Sequence, residues 1–276
     1  MSGNTKNQSM TKAGFFSGKA GYYARYRRGY PAEVFDTIIS RFSLTPESAI
    51  LDLGCGTGNV AIPLAQRGLR VCAVDPDPEM QKEGKKRAEG VHVTGISWLN
   101  GADSTIATLG LTPVRLCTMG LSFHWMDRQT VLATLDTLIE PDGGVACISR
   151  SDGFFSHLHE GWGKAVQDVL EEMLGDSWDY SGRLEKKLNG GKDRHEEVFA
   201  RSPFSSVETF EFPVRESFTT EEVIGHQLST SYIDPAIIGE RNAEFCDRLT
   251  RRLLEIEPSG TFSGTSTVQL IIAKRP

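Results

Sequence analysis

Cysteine is scarce in this 276-residue chain, and its five copies stand apart. Cys55, Cys72, Cys117 and Cys147 each lie in or beside a short apolar run, Cys246 lies in a charged helical pattern, and no Cys-x-x-Cys pair occurs. That spacing argues against a disulfide framework or a zinc ribbon. No apolar stretch approaches the ~20 residues that a bilayer-crossing helix needs, and the opening MSGNTKNQSMTKAG has no apolar run of the secretory kind. The expectation is a soluble, cytoplasmic protein that makes no use of a membrane. Internal repeats and low-complexity tracts are also missing. Acid is absent from one place in particular. Residues 1–32 hold Lys6, Lys12, Lys19, Arg25, Arg27 and Arg28 with no Asp or Glu, so the rest of a chain of net charge −6 carries −12. A binder of polyanions would have to concentrate its cations on one surface, and this arm is the obvious concentration.

What is present is a 39% hydrophobic content, enough for one large α/β core. From Pro31 the pattern alternates helix and strand. PAEVFDTIISRF spaces Val34, Phe35, Ile38, Ile39 and Phe42 as one helical face behind a first-turn proline. AILDLGCGTG reads as a strand entering a glycine-rich turn, NVAIPLAQRG as a helix closed by Gly68, and LRVCAVD as a strand ending on Asp75. Helix, short extended stretch, strand (VRLCTMG), helix and strand (GVACISR) follow. Such alternation implies a parallel sheet covered on both faces. After Arg150 it breaks for roughly fifty-five residues rich in aromatics, histidine and charge, which predicts two or three helices standing above the sheet. Strand returns with VETFEFPVRESF and with the terminal STVQLIIAKRP, around late helices. The expected fold is α/β, a doubly wound, Rossmann-like, seven-stranded sheet, mostly parallel with an antiparallel last strand and a helical cap inserted after the fifth strand. Its parts are an N-terminal segment (1–30), a nucleotide-binding core (31–150), the cap (151–205) and the end of the sheet with late helices (206–276).

The sharpest signal is Asp52-Leu53-Gly54-Cys55-Gly56-Thr57-Gly58, with Asp75 closing the next strand. Strand, glycine turn, helix start and second-strand acid form a nucleotide-binding half. Glycine lets the backbone approach a ligand where a Cβ would collide, and the acid can accept from both ribose hydroxyls of an adenosine. A dinucleotide fingerprint would place glycine at position 59, which is Asn59. Asp52 would also set negative charge beside a pyrophosphate, whereas a ligand amino group would favour it.

This pattern resembles the class I S-adenosylmethionine-dependent methyltransferases, and within them the small-molecule branch that includes trans-aconitate-type enzymes. The resemblance covers residues 20–150 well and the tail loosely. It implies S-adenosyl-L-methionine as cofactor and S-adenosyl-L-homocysteine as product. Asp52, Gly54, Cys55 and Gly56 would hold the methionine part, Asp75 with Pro76 the ribose, and Ala102 and Asp103 the adenine edge, through a backbone amide and a carboxylate. Gly120, after Met119, would form the floor beneath the cofactor. The stretch from Ala20 to Pro31, GYYARYRRGYP in large part, is similar to a family segment that folds over the cofactor. Tyr23 and Arg27 would then cover the methionine part and pair its carboxylate, and Arg28 stands where proline is usual.

Candidates for chemistry are fewer. His124, in GLSFHWMD after the fourth strand, is either a general base or a packing residue beneath the cofactor turn. Tyr26, His157, Trp162 and Tyr232 are candidates to line an acceptor pocket, with core packing the alternative for Tyr232. His157 and His159 diverge on a helix, so no metal site is expected. The leading expectation is methyl transfer to a small molecule at O, N, C or carboxylate. RNA or protein methylation, with the basic arm on phosphates, is one alternative; against it stands the lack of an Asn/Asp-Pro-Pro-Tyr/Phe run after the fourth strand. A cofactor-binding regulator without turnover is the other.

Overall fold

The computed structural model describes residues 18–151, 161–175, 193–230 and 239–276. Seven strands form one sheet in the order β3-β2-β1-β4-β5-β7-β6. They are β1 (Ala49–Leu53), β2 (Arg70–Asp75), β3 (Ile96–Asn100), β4 (Val114–Gly120), β5 (Ile139–Ser151), β6 (Ser206–Thr219) and β7 (Thr261–Lys274). Strands β1 to β5 run parallel, and β7 runs antiparallel to both of its neighbours. This is the expected doubly wound sheet with its reversed last strand.

Alternation along each strand builds two cores. Ile50, Ala146, Ile148, Leu270 and Ile272 face one side, under helix α2 (Ala32–Phe42) and helix α3 (Ala61–Gln66). Leu51, Leu53, Val145, Cys147 and Ile271 face the other, under helix α5 (Arg128–Leu138). Ser43 ends α2 in the left-handed region (φ 49) and its N–H returns to the helix carbonyls. Helix α4 (Pro78–Gly90) starts on Asp77, whose carboxylate accepts the N–H groups of Glu79 and Met80, with Pro78 in the first turn.

The cap divides differently from the sequence reading. Helix α6 (Gly161–Leu174) joins α8 (Thr220–Leu228), α9 (Asn242–Ile256) and Phe262 of β7 in a third apolar cluster, so late helices and a strand expected with the end of the sheet supply half of that cluster. The short α7 (His195–Ala200), expected in the cap, instead buries Val198 and Phe199 in the α5-side core. Strand β7 is longer than expected because, among the described residues, its first residues pair only with β6. Described pairing with β5 runs to Ser151 with Thr267, whereas pairing with β6 continues to Thr219 with Thr261. Residues 214–219 and 261–266 thus form a two-stranded ribbon beyond the last described residue of β5.

Helix α1 (Ala20–Tyr26) lies against α4 and α8. A Cβ on Gly225 of α8 would fall 2.3 Å from Tyr26 Cδ2, so only glycine admits this approach.

Candidate active site

Strands β1 and β4 are neighbours whose connections leave toward opposite edges of the sheet, the place where open α/β sheets bind ligands. A cavity of about 520 Å³ opens there, above the carboxyl ends of β1, β2 and β4. That volume suits a cofactor-sized ligand. Tyr23, Gly54, Gly56, Asp75, Pro76, Ala102, Asp103 and Gly120 all line it. Eight residues singled out from the sequence are thereby brought to one surface by helix α1, the glycine turn and three strand ends.

The glycine turn is shaped by the chain below it. Gly54 has φ +70, and a Cβ there would sit 2.5 Å from Ser122 Cβ. Its N–H, like that of Cys55, donates to Val74 O. Gly56 has open space in front of its Cα, and its N–H donates to Asp75 Oδ2 at 2.8 Å. The other oxygen of Asp75 accepts the N–H of Asp77 at 2.9 Å. Each oxygen of a carboxylate has two lone pairs, so acceptor capacity facing the cavity remains. Burial raises Asp75 above the ordinary carboxylate range.

Several expected ligand contacts lie elsewhere. Asp52 does not line the cavity. It is 1% exposed, and its carboxylate accepts Thr118 Oγ1 at 2.8 Å and Ala61 N at 3.1 Å. It thus ties β1 to β4 and caps α3, whose own N-cap position supplies no side chain. Burial raises its pKa from 3.8 to about 7, against the lowering effect of those two hydrogen bonds. Cys55 turns its thiol into the core and does not line the cavity. The Ala102 N–H is given to Thr105 Oγ1 at 2.9 Å, and one oxygen of Asp103 accepts the Asp127 N–H at 3.0 Å. His124 lines neither this cavity nor the next, its ring 5.2 Å from that of its neighbour Trp125, which does line it. Trp162 is buried in the cap, between Phe218 and Phe262. Tyr26 lies against Gly225 with its hydroxyl donating to Glu221. His157 and Tyr232 fall outside the described residues.

A second, smaller cavity of about 30 Å³ adjoins the first, sharing Tyr23 and Leu121 with it. It lies above the ends of β4 and β5 and against the β6–β7 ribbon. Arg27 belongs here and not to the larger cavity, with its Nε on Ser229 Oγ at 2.9 Å and its guanidinium 5.4 Å from the Tyr23 ring centroid. Arg28, Arg150, Glu216 and His226 are further walls that the sequence reading missed. Glu216 holds Arg150 at 2.5 Å, both 8% exposed or less, and lies 3.8 Å from Arg28. Arg28 also reaches Glu222 at 3.0 Å and stacks over Phe218. Leu121, between the cavities, is held at φ 53, with its N–H bonded to Ile148 O. A left-handed leucine costs on the order of 1 kcal/mol, so this junction is braced by the sheet. Among the described residues, no three metal-ligating side chains converge.

Residues 50–143 match the model of a methyltransferase domain family. An uncharacterized methyltransferase of Mycobacterium tuberculosis is 26% identical over 259 residues, 88% of this chain and 87% of its own. The tRNA 5-carboxymethoxyuridine methyltransferase of Escherichia coli is 32% identical over 96 residues, 34% of this chain and 37% of its own. Among solved structures, that of a “Putative Type II Methyltransferase” from Anaeromyxobacter dehalogenans shares the fold with a TM-score of 0.59 at 18% identity, over 91% of this chain and 98% of its own.

Proposed function

We propose that this chain, a class I S-adenosylmethionine-dependent methyltransferase by its domain match and its relatives, methylates a small molecule that approaches from the side of the second cavity. The observation that carries this reading is the pair of cavities meeting at Tyr23 and Leu121. The larger would take the cofactor, with Asp75 on the ribose hydroxyls, Ala102 and Asp103 beside the adenine, and Gly54, Gly56 and Gly120 close to the backbone side. The smaller, with room for about one water molecule, marks the side from which the acceptor would approach past Tyr23. Bound S-adenosylmethionine supplies a methyl group on a sulfonium, open to in-line attack. The protein's share is alignment and exclusion of water, and positioning alone contributes on the order of 7–11 kcal/mol in favourable cases.

The buried state of Asp52 changes its proposed part. It would act on the ligand's amino group through the turn that it anchors, without touching it. Arg27, in the second cavity, would reach the cofactor's carboxylate from the acceptor side of Tyr23.

The basic arm favours a small acceptor over RNA. Arg25 pairs with Glu221 at 2.7 Å, Arg27 bonds Ser229, and Arg28 bonds Glu222 and the Ser217 carbonyl. These cations are directed at the protein's own cap, which suits a lid better than a phosphate track. The test is methyl transfer from labelled cofactor into cell extracts split into small-molecule, RNA and protein fractions. Label confined to RNA or protein would refute the proposal. Calorimetry with S-adenosylhomocysteine and with NAD would test the cofactor separately, since tight NAD binding would reverse the assignment.

A further inference from the structure

Position 59, where a dinucleotide fingerprint would place glycine, carries a side chain held by a cation that has no anion of its own. Arg87, in the last turn of α4, gives one nitrogen, Nη1, to three acceptors: Thr57 O at 2.7 Å, Thr57 Oγ1 at 2.9 Å and Asn59 Oδ1 at 2.8 Å. It is half-buried, and among the described residues it pairs with no carboxylate. Helix α4 reaches the turn closely enough for these bonds because of Gly84, one helical turn before Arg87. A Cβ there would fall 2.5 Å from Trp98 Cη2 and 3.2 Å from the Thr57 carbonyl carbon. A cation drawn out of water without a counter-charge is costly, so its place beside the glycine turn calls for an anion that arrives with a ligand.

The bond to Arg87 fixes the Asn59 amide. Arginine only donates, so the atom that faces it is the amide oxygen, and the NH2 is turned elsewhere. Asn59 lines the smaller cavity beside Tyr23, Arg27 and Arg28, and its NH2 meets no acceptor among the described residues. This wall offers hydrogen-bond donors and positive charge to a space of about 30 Å³. Such a space admits a group the size of a water molecule, for example one oxygen of a carboxylate.

We infer that Asn59 is a cofactor-binding residue and that Arg87 positions it: the Asn59 NH2 donates to the carboxylate of the cofactor's methionine part, reached past Tyr23. The inference rests on the larger cavity being the cofactor site. Arg87 polarises the amide that it holds and so strengthens the bond on the other side. The carboxylate meets Asn59 together with Arg27, and Arg87 gains an anion one amide away. The pair thereby selects a cofactor that keeps its amino-acid end.

The test is calorimetry of the full chain with two probes, S-adenosylhomocysteine and its decarboxylated analogue, which lacks only the carboxylate. The wild type is expected to prefer the first. In Asn59→Ala that preference should shrink about tenfold, through weaker S-adenosylhomocysteine with the analogue unchanged. Asn59→Asp sets like charges against each other, so S-adenosylhomocysteine should weaken about 100-fold while the analogue holds. The melting temperature of this variant should stay or rise, because Arg87 gains a counter-charge. Arg87→Met should repeat the selective loss of Asn59→Ala, and Arg87→Lys, which keeps the charge and a donor, should recover part of it. A loss shared equally by the two probes, no loss for either, or no preference in the wild type would overturn the inference and leave the methyltransferase reading standing. If the wild type binds neither probe, the cofactor-site assignment fails, and the inference with it.

Discussion

Replacing Asp52 by Asn should stabilise this protein in alkaline solution and leave it nearly unchanged in acid. Asp52 is almost fully buried and its pKa is raised from 3.8 to about 7. Below about pH 4 the carboxyl is protonated in both folded and unfolded chains and contributes no difference. Between there and pH 7 the folded state holds a proton that the unfolded state has released. Stability therefore falls as pH rises, by about 1.4 kcal/mol for each unit. By pH 8 the loss is complete and amounts to about 4 kcal/mol, an upper figure for a residue held by two hydrogen bonds. Asn at this position keeps an oxygen for the Ala61 N–H and offers its NH2 to Thr118 Oγ1, whose hydroxyl can turn to the Leu51 carbonyl 3.4 Å away. The assay is urea unfolding of wild type and Asp52→Asn at half-unit steps from pH 5 to 8.5. Asp75, also raised by burial, titrates in both proteins, and its charge is the smallest of the causes that act on Asp52. A stability gap that stays flat across this range, or a wild type that is the more stable at pH 8, would refute the reasoning.

Other variants probe the ligand side. Asp75→Ala should weaken S-adenosylhomocysteine by about 10- to 100-fold in calorimetry, the weight of a charged hydrogen-bond acceptor; unchanged affinity would remove Asp75 from the ribose. Gly54→Ala forces a Cβ to 2.5 Å from Ser122 Cβ in a left-handed conformation, and should cost about 1–3 kcal/mol in denaturant unfolding while lowering affinity for the same ligand. Glu216→Gln leaves the buried Arg150 without its counter-charge and should cost about 3–5 kcal/mol, seen as a fall in melting temperature. Pairing that change with Arg150→Met should recover much of the loss, and a double variant no better than the single would show that the ion pair is not its source.

Much of the cofactor side was legible because local rules govern it. A glycine turn needs specific residues at specific positions, and the strand that feeds it must be apolar, so Gly54, Gly56 and Asp75 announce themselves. Asp52 was legible as important but not in its role, since a carboxylate at the start of such a turn can face the ligand or the interior. The packing of Ala61 and Thr118 decides that, and Thr118 lies 66 residues off in the chain. The smaller cavity was hidden because its walls meet only in the fold. Arg28, Arg150, Glu216 and His226 come from the segment after α1, β5, β6 and α8, and no spacing rule links them. His124 drew notice because it stands in a motif-like run beside the fourth strand, whereas His226 sits in an ordinary helical sequence. The one available hint was Arg28, an unusual residue in an otherwise familiar segment.

The two-stranded ribbon has a practical corollary. The larger cavity is built on strands locked between neighbours on both sides, while Glu216 pairs in register with Gly264, beyond the last described residue of β5. One wall of the smaller cavity thus rests on strand ends that carry the helical cap as well, since Thr219 caps α8 and Phe218 and Phe262 pack into the cap's core. A change in residues 214–219 or 261–266 should therefore move wall and cap together while the strands under the larger cavity stay as they are.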